Sequence, residues 1–194
     1  VKLGADDEVI SMALLRHTEL DTPEREAYLR MSRQRRGMEA DGPEVETAIE
    51  GASVEGAALV LSEERYAELA AAEEFLLAIT SKGFGKRSSA YEYRLTGRGG
   101  SGIANIETTD KNGAVVASFP VREGDQLMLV SDAGTLIRTP IDDIRIARRQ
   151  TQGVTVFRMG EGERVVSVAR LGDIGPSEGP VGDEASGGEE TGAG

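Results

Sequence analysis

The chain has 194 residues, 39% of them apolar and only 4% aromatic, with 25 Gly and neither Trp nor Cys. That composition supports a core built from part of the length and a backbone that turns often, and it excludes disulfides, thiol nucleophiles and Cys-based zinc sites. No apolar run approaches the roughly 18 residues of a membrane helix, no signal peptide is visible, and a lone histidine, His17, excludes a multi-His metal site.

The net charge of -12 argues against nucleic acid, but its distribution reverses that impression. Residues 75–171 hold fourteen Lys or Arg against ten Asp or Glu, whereas residues 16–74 hold seven against fifteen. The tail from Gly172 is acidic as well.

An internal repeat organises the chain. Phe75-Leu76-Leu77-Ala78-Ile79-Thr80-Ser81-Lys82-Gly83 aligns with Gln126-Leu127-Met128-Leu129-Val130-Ser131-Asp132-Ala133-Gly134 at an offset of 51. At that offset Arg87 falls on Arg138, Tyr93 on Ile144, Gly102 on Gly153 and Ile103 on Val154. One deletion later, Val115-Val116-Ala117-Ser118 meets Val165-Val166-Ser167-Val168.

In chain order, residues 1–15 resemble the last strand-turn-strand of a unit, with Asp6-Asp7-Glu8 as its polar turn. The start, without Met or targeting pattern, reads as a cut through a longer protein. Residues 16–74 break the repeat as an acidic helical insertion. Thr22-Pro23-Glu24 predicts a helix start running to Arg36 with Gly37 as stop, and Ser62 predicts a cap for a second helix through Glu74. Residues 75–124 and 125–171 read as two complete β blades of four short strands each. In the second, strands are expected at 127–130, 135–139, 154–158 and 165–169, with Asp132-Ala133-Gly134 as a turn. A blade of this size cannot bury both faces alone, so neighbours must stack on it. Residues 172–194, rich in Gly, Pro, Ser and Glu, are expected to be a disordered acidic tail. The fold class is therefore all-β: a partial array of pinwheel or propeller-like blades with a helical insertion.

Chemical motifs are few. Gly97-Arg98-Gly99-Gly100-Ser101-Gly102 matches G-x-G-x-x-G, but Ile103-Ala104-Asn105-Ile106-Glu107-Thr108 reads as strand, whereas a dinucleotide site needs a helix there. A flexible loop carrying Arg98 is the better reading. Gly83-Phe84-Gly85-Lys86-Arg87 fails as a P-loop, because Thr80 replaces its first Gly and Arg87 its Ser or Thr. Asp142-Asp143 beside Pro140 reads as a solvated turn and His17 as a surface residue. No catalytic residue, metal site or bound cofactor is expected within this stretch.

The basic residues form the candidate site. Lys82, Lys86, Arg87, Arg94 and Arg98 fall in one unit, and Arg138, Arg145, Arg148 and Arg149 in the next. Arg87 with Arg138, and Arg98 with Arg149, hold equivalent repeat positions, so stacked blades would carry a recurrent basic track. Such a track suits the phosphates of duplex DNA, without an evident means of reading bases. A track that only solubilises the surface is the competing reading.

Phe84-Gly85-Lys86-Arg87, Asp132-Ala133-Gly134-Thr135-Leu136-Ile137-Arg138-Thr139 and Arg149-Gln150-Thr151-Gln152-Gly153-Val154 resemble the repeat motifs of the DNA gyrase A subunit family. The resemblance covers residues 1–15 and 74–171. It implies a β-pinwheel that wraps DNA for a type II topoisomerase making ATP-dependent negative supercoils. It further implies partnership with the gyrase B subunit, which supplies ATP and Mg sites, in an A2B2 assembly, and a cytoplasmic, nucleoid-associated setting. The topoisomerase IV A subunit shares the fold and is the near alternative; a propeller-like protein-interaction module is the more distant one. The family's catalytic tyrosine has no counterpart, since Tyr28, Tyr66, Tyr91 and Tyr93 lack its context. Its wrapping motif is echoed only by Gln34-Arg35-Arg36-Gly37, inside the insertion and followed by Met38.

Overall fold

Short apolar runs closed by glycine turns become strands in both repeats. The protein is described by a computed structural model over residues 7–38, 59–98 and 102–172. Two helices precede the strands, α1 (Thr22–Arg35) and α2 (Glu63–Ala72). The first repeat supplies β1 (Phe75–Thr80), β2 (Phe84–Ser89) and β3 (Val115–Val121). The second supplies β4 (Gln126–Ser131), β5 (Leu136–Pro140), β6 (Val154–Thr155) and β7 (Val165–Leu171). A 3₁₀ turn follows the second strand of each repeat, Ala90–Glu92 and Ile141–Asp143. Even the irregularities recur, with a register shift at Ile79/Thr80 in one repeat and at Val130/Ser131 in the other.

The strands form two antiparallel sheets, ordered β3-β1-β2-β6 and β5-β4-β7. Alternation in β4 buries Leu127, Leu129 and Ser131 on one side, as the period of two requires. Leu77, Ile79, Ala117 and Val121 of the first repeat join Leu127, Leu129, Ile141, Ile144, Phe157 and Val165 of the second in one core. Neither sheet has a private interior.

The strand order departs from four consecutive strands per blade. Within the expected strand at 154–158 only β6 forms, and it pairs with β2 of the preceding repeat, Phe84 opposite Thr155 and Gly85 opposite Val154. The approach depends on glycine. Gly153 has φ +78, and a Cβ there would lie 2.7 Å from the Gly85 carbonyl oxygen. Gly83 has φ +75, and a Cβ on it would collide with the Phe157 carbonyl. Its own carbonyl accepts the amides of Val156 and Phe157 at 2.8 and 3.0 Å. Upstream, the Arg87 amide donates to Arg145 O at 2.9 Å and the Ala147 amide to Arg87 O at 2.8 Å. The second repeat's connecting segment therefore lies along the free edge of β2.

Two expected strands are absent. Residues 103–108 correspond to β6 and its sequel but form no strand; only Ile106 is buried. Residues 7–15 likewise carry no strand, and Ser11 Oγ donates to Ser118 O at 2.8 Å. Both segments reach the edge strand β3 only through side chains, Ser11 Oγ to Ser118 O and Asn105 Nδ2 to Ser118 Oγ at 3.0 Å, and a strand exists through backbone pairing. The predicted turn at Asp6, the loop at Gly99-Gly100-Ser101 and the acidic tail beyond Gly172 lie outside the described residues.

Both helices of the insertion form close to the positions read from their caps, with small shifts. Asp21, one residue before Thr22, accepts the Glu24 amide at 2.8 Å, and Gly37 ends α1 with φ +65. Ser62 caps α2 through the Arg65 amide at 3.2 Å, and the helix stops at Ala72 rather than Glu74. Buried Tyr28 stacks on Tyr66 at 5.1 Å and meets Tyr91 edge-on at 5.2 Å. Its hydroxyl donates to Glu73 at 2.9 Å, and burial pushes its pKa well above the ordinary tyrosine range. Tyr91 belongs to the first 3₁₀ turn, which is where the insertion docks. The equivalent residue of the second repeat is Asp142, which offers no ring to stack against.

Candidate nucleic-acid interface

The nine basic residues singled out by sequence divide into three groups by environment. Lys82, Arg94, Arg98, Arg138 and Arg145 are exposed, and Arg148 and Arg149 are half-buried. Lys86 and Arg87, expected on the outer track, are buried at 0% and 8% exposure. The cause is local: the edge of β2 that would carry them outward is covered by residues 142–155. Their repeat counterparts escape this, because no segment covers the edge of β5 among the described residues. Arg138 is exposed there and donates through Nε to Gln126 at 2.5 Å.

Arg87 and Lys86 grip the covering segment. Arg87 Nε donates to Ile144 O at 2.7 Å, and its guanidinium meets Asp142 at 3.2 Å. Burial lowers its pKa, with Asp142 opposing. The expected solvated turn at Asp142-Asp143 is thus exposed, and Asp142 is tied to Arg87. Lys86 Nζ donates to Arg148 O and to Arg149 O, both at 2.5 Å. Burial lowers the Lys86 pKa to about 8, against the pull of Glu92. Ser88 Oγ adds a bond to Ala147 O at 2.9 Å.

Glu92 completes the arrangement, and no sequence signal marked it. Its carboxylate accepts the Arg149 amide at 2.7 Å, and its pKa is raised by burial against the pull of Arg149 and Lys86. Tyr93 beside it is pushed up to about 12, first by burial and then by the Glu92 charge. The Arg149 guanidinium reaches Ala104 O at 2.5 Å. Three arginines thus stand within five residues of one connection, Arg145, Arg148 and Arg149, on a backbone held from behind by Arg87, Lys86 and Glu92. Lys82 stands apart, bonded to Asp110 O. Lys111, Arg122, Arg158, Arg164 and Arg170 are exposed as well. None of these five repeats in the other unit, and the sequence reading did not include them.

Among the described residues no cluster of three or more His, Cys, Asp or Glu is placed to hold a metal ion. None of their helices is long and apolar enough to cross a membrane. What the geometry provides is fixed cations on a repeated β scaffold. The family model of the DNA gyrase C-terminal domain, a beta-propeller, matches residues 74–122 and 125–171, the same two repeats. The chain belongs to the DNA gyrase C-terminal domain family. The DNA gyrase A subunit of Granulibacter bethesdensis is 52% identical over 182 residues, covering 87% of this chain and 18% of its own length. The DNA gyrase A subunit of Rickettsia bellii is 44% identical over 173 residues, covering 89% and 18%. A solved DNA gyrase A C-terminal domain matches 51% of this chain and 34% of its own, at 26% identity and TM-score 0.48. The chain thus spans under a fifth of the length of the curated relatives it matches. Those relatives favour gyrase over the topoisomerase IV alternative.

Proposed function

We propose that this chain is the DNA-binding and DNA-wrapping C-terminal part of a gyrase A subunit. The observation that carries the reading is the connection between β5 and β6, which holds Arg145, Arg148 and Arg149 on a rigid backbone beside the exposed Arg138. Cations fixed before binding lose little conformational freedom on meeting phosphates, and each neutralised phosphate releases counterions. Contacts of this kind to phosphates hold a duplex through its backbone, so it is bent rather than read.

The enzyme served is a type II topoisomerase that introduces negative supercoils at the expense of ATP. Strand cleavage lies elsewhere in the full-length polypeptide. ATP and Mg belong to the gyrase B subunit in an A2B2 assembly, working in the cytoplasm on the nucleoid. Support for these wider roles comes from the kinship with gyrase A subunits.

The test is duplex binding by the full chain as a function of salt. A steep linear fall of log affinity with log salt is expected, and Arg138→Ala with Arg145→Ala should reduce the slope by about two, near 0.9 for each phosphate no longer neutralised. Binding insensitive to salt overturns the reading.

A further inference from the structure

The rim arginines are exposed enough to meet DNA, but the side chain that holds two of them is not. We propose that Lys86 is a positioning residue for DNA binding: its buried amine fixes the peptide planes of Arg148 and Arg149 so that their guanidinium groups project along the rim. This inference rests on the DNA-binding reading above.

Four hydrogen bonds converge on that dipeptide. Lys86 Nζ donates to both of its carbonyls at 2.5 Å. The Glu92 carboxylate takes the Arg149 amide at 2.7 Å, and Thr151 Oγ1 donates to Arg148 O at 2.8 Å. An ammonium bound to two successive carbonyls orients both peptide groups and so directs Arg149, which leaves the backbone between them; Ser88 Oγ on Ala147 O at 2.9 Å fixes the peptide group on the other side of Arg148. The Arg149 guanidinium, directed in this way, reaches Ala104 O at 2.5 Å.

The molecule contains its own control. At an offset of 51, Lys86 corresponds to Ile137, which pairs with Leu129 in β4–β5 as Lys86 pairs with Ala78 in β1–β2. The strand pair forms with either residue, so the hairpin does not require lysine. An apolar side chain in a closed site avoids the cost of desolvating a charge. Lysine stands in the repeat where an arginine-bearing connection crosses the strand, and isoleucine where no connection does among the described residues. Burial opposes the ammonium there, in keeping with a charge retained for what it holds.

A double-mutant cycle on duplex affinity in the full chain tests this, with Lys86→Met, Arg148→Ala/Arg149→Ala and the triple variant. Methionine keeps the length and volume of the side chain and removes the donor and the charge. Lys86→Met is expected to lower the salt slope by up to about two, the share of two phosphates. The triple variant should bind as the Arg148→Ala/Arg149→Ala protein does. An equal loss from Lys86→Met in both backgrounds overturns the proposal, because the lysine then acts by charge or elsewhere. Unchanged binding by Lys86→Met overturns it too. If Arg148→Ala/Arg149→Ala binds DNA normally, these arginines do not meet DNA and the proposal falls with that part of the reading. Glu92→Ala, which releases the same dipeptide from its amide side, enters the same cycle should Lys86→Met fail to fold.

Discussion

The two repeats share their 3₁₀ turns and bulge positions, yet one is a seat and the other an edge. The flank of β2 is closed by the second repeat's connection, and it buries Lys86 and Arg87. The flank of β5 leaves Arg138 in solvent. Residues at matching positions therefore do different work: in the first repeat cations hold backbone, and in the second they face outward. Equivalence in a repeated sequence fixes where a residue stands on its own strand, but its surroundings depend on what the neighbouring repeat lays across it.

The largest contrast should appear at the paired glycines Gly83 and Gly134. Both have positive φ, +75 and +81, but only Gly83 is pressed against the second repeat, while a Cβ at Gly134 meets nothing within 4 Å. Gly134→Ala is expected to cost about 1–2 kcal/mol, the strain of a left-handed alanine. Gly83→Ala should cost a further 1–3 kcal/mol or so for the forced backbone shift. Urea unfolding measures both, and equal losses would show that the interlock contributes nothing.

A smaller contrast is expected at the paired arginines. Arg87→Gln strips Ile144 O and Asp142 of their partner and should cost roughly 1–3 kcal/mol in the same assay. Arg138→Gln, at an exposed position, should fall within about 0.5 kcal/mol of the parent. DNA affinity should rank the other way, with Arg138→Gln losing about one unit of salt slope. A stability loss at Arg138 matching that at Arg87 would dissolve the distinction between seat and edge.

The same contrast can be read by a titration confined to the seat. Lys86 has its pKa lowered from 10.5 to about 8, so between those values the unfolded chain binds more protons than the folded one. Stability should rise with pH across that window, by no more than about 1.4 kcal/mol per unit of pKa difference, and level off above it. Below about pH 8 the buried ammonium is retained and this gain is absent. Lys86→Met should flatten the rise, as judged by urea midpoints of the two proteins measured in parallel. The second repeat, with Ile137 at that position, contributes no counterpart.

Much of the fold was legible because local signals agreed. Apolar runs, glycine turns and a period of 51 located β1 and β4, and capping residues located both helices to within two residues. The exchange of β6 was not legible, since a strand carries no mark of which edge receives it; the glycines at 83, 85 and 153 hinted only at close backbone approach. The site was half legible. Recurrence paired Arg87 with Arg138, and the basic track gave Lys86 and Arg87 the same outward exposure as Arg138, because burial by a segment some sixty residues away leaves no local trace. Glu92 was invisible for the same reason: its importance lies in the Arg149 amide, remote in sequence.

The pairing of β6 with β2 also bears on how the chain can be divided. A truncation at the apparent boundary near residue 124 would preserve the first repeat's sequence but strip its sheet of an outer strand, baring the edge from Gly85 to Arg87 and leaving a buried ammonium without acceptors. A naked edge of that kind recruits other chains. Extending the cut to Phe157 would return the missing strand, yet leave the second sheet without β7. No cleavage between the repeats yields an intact half, so amide exchange should report them opening as a single cooperative unit.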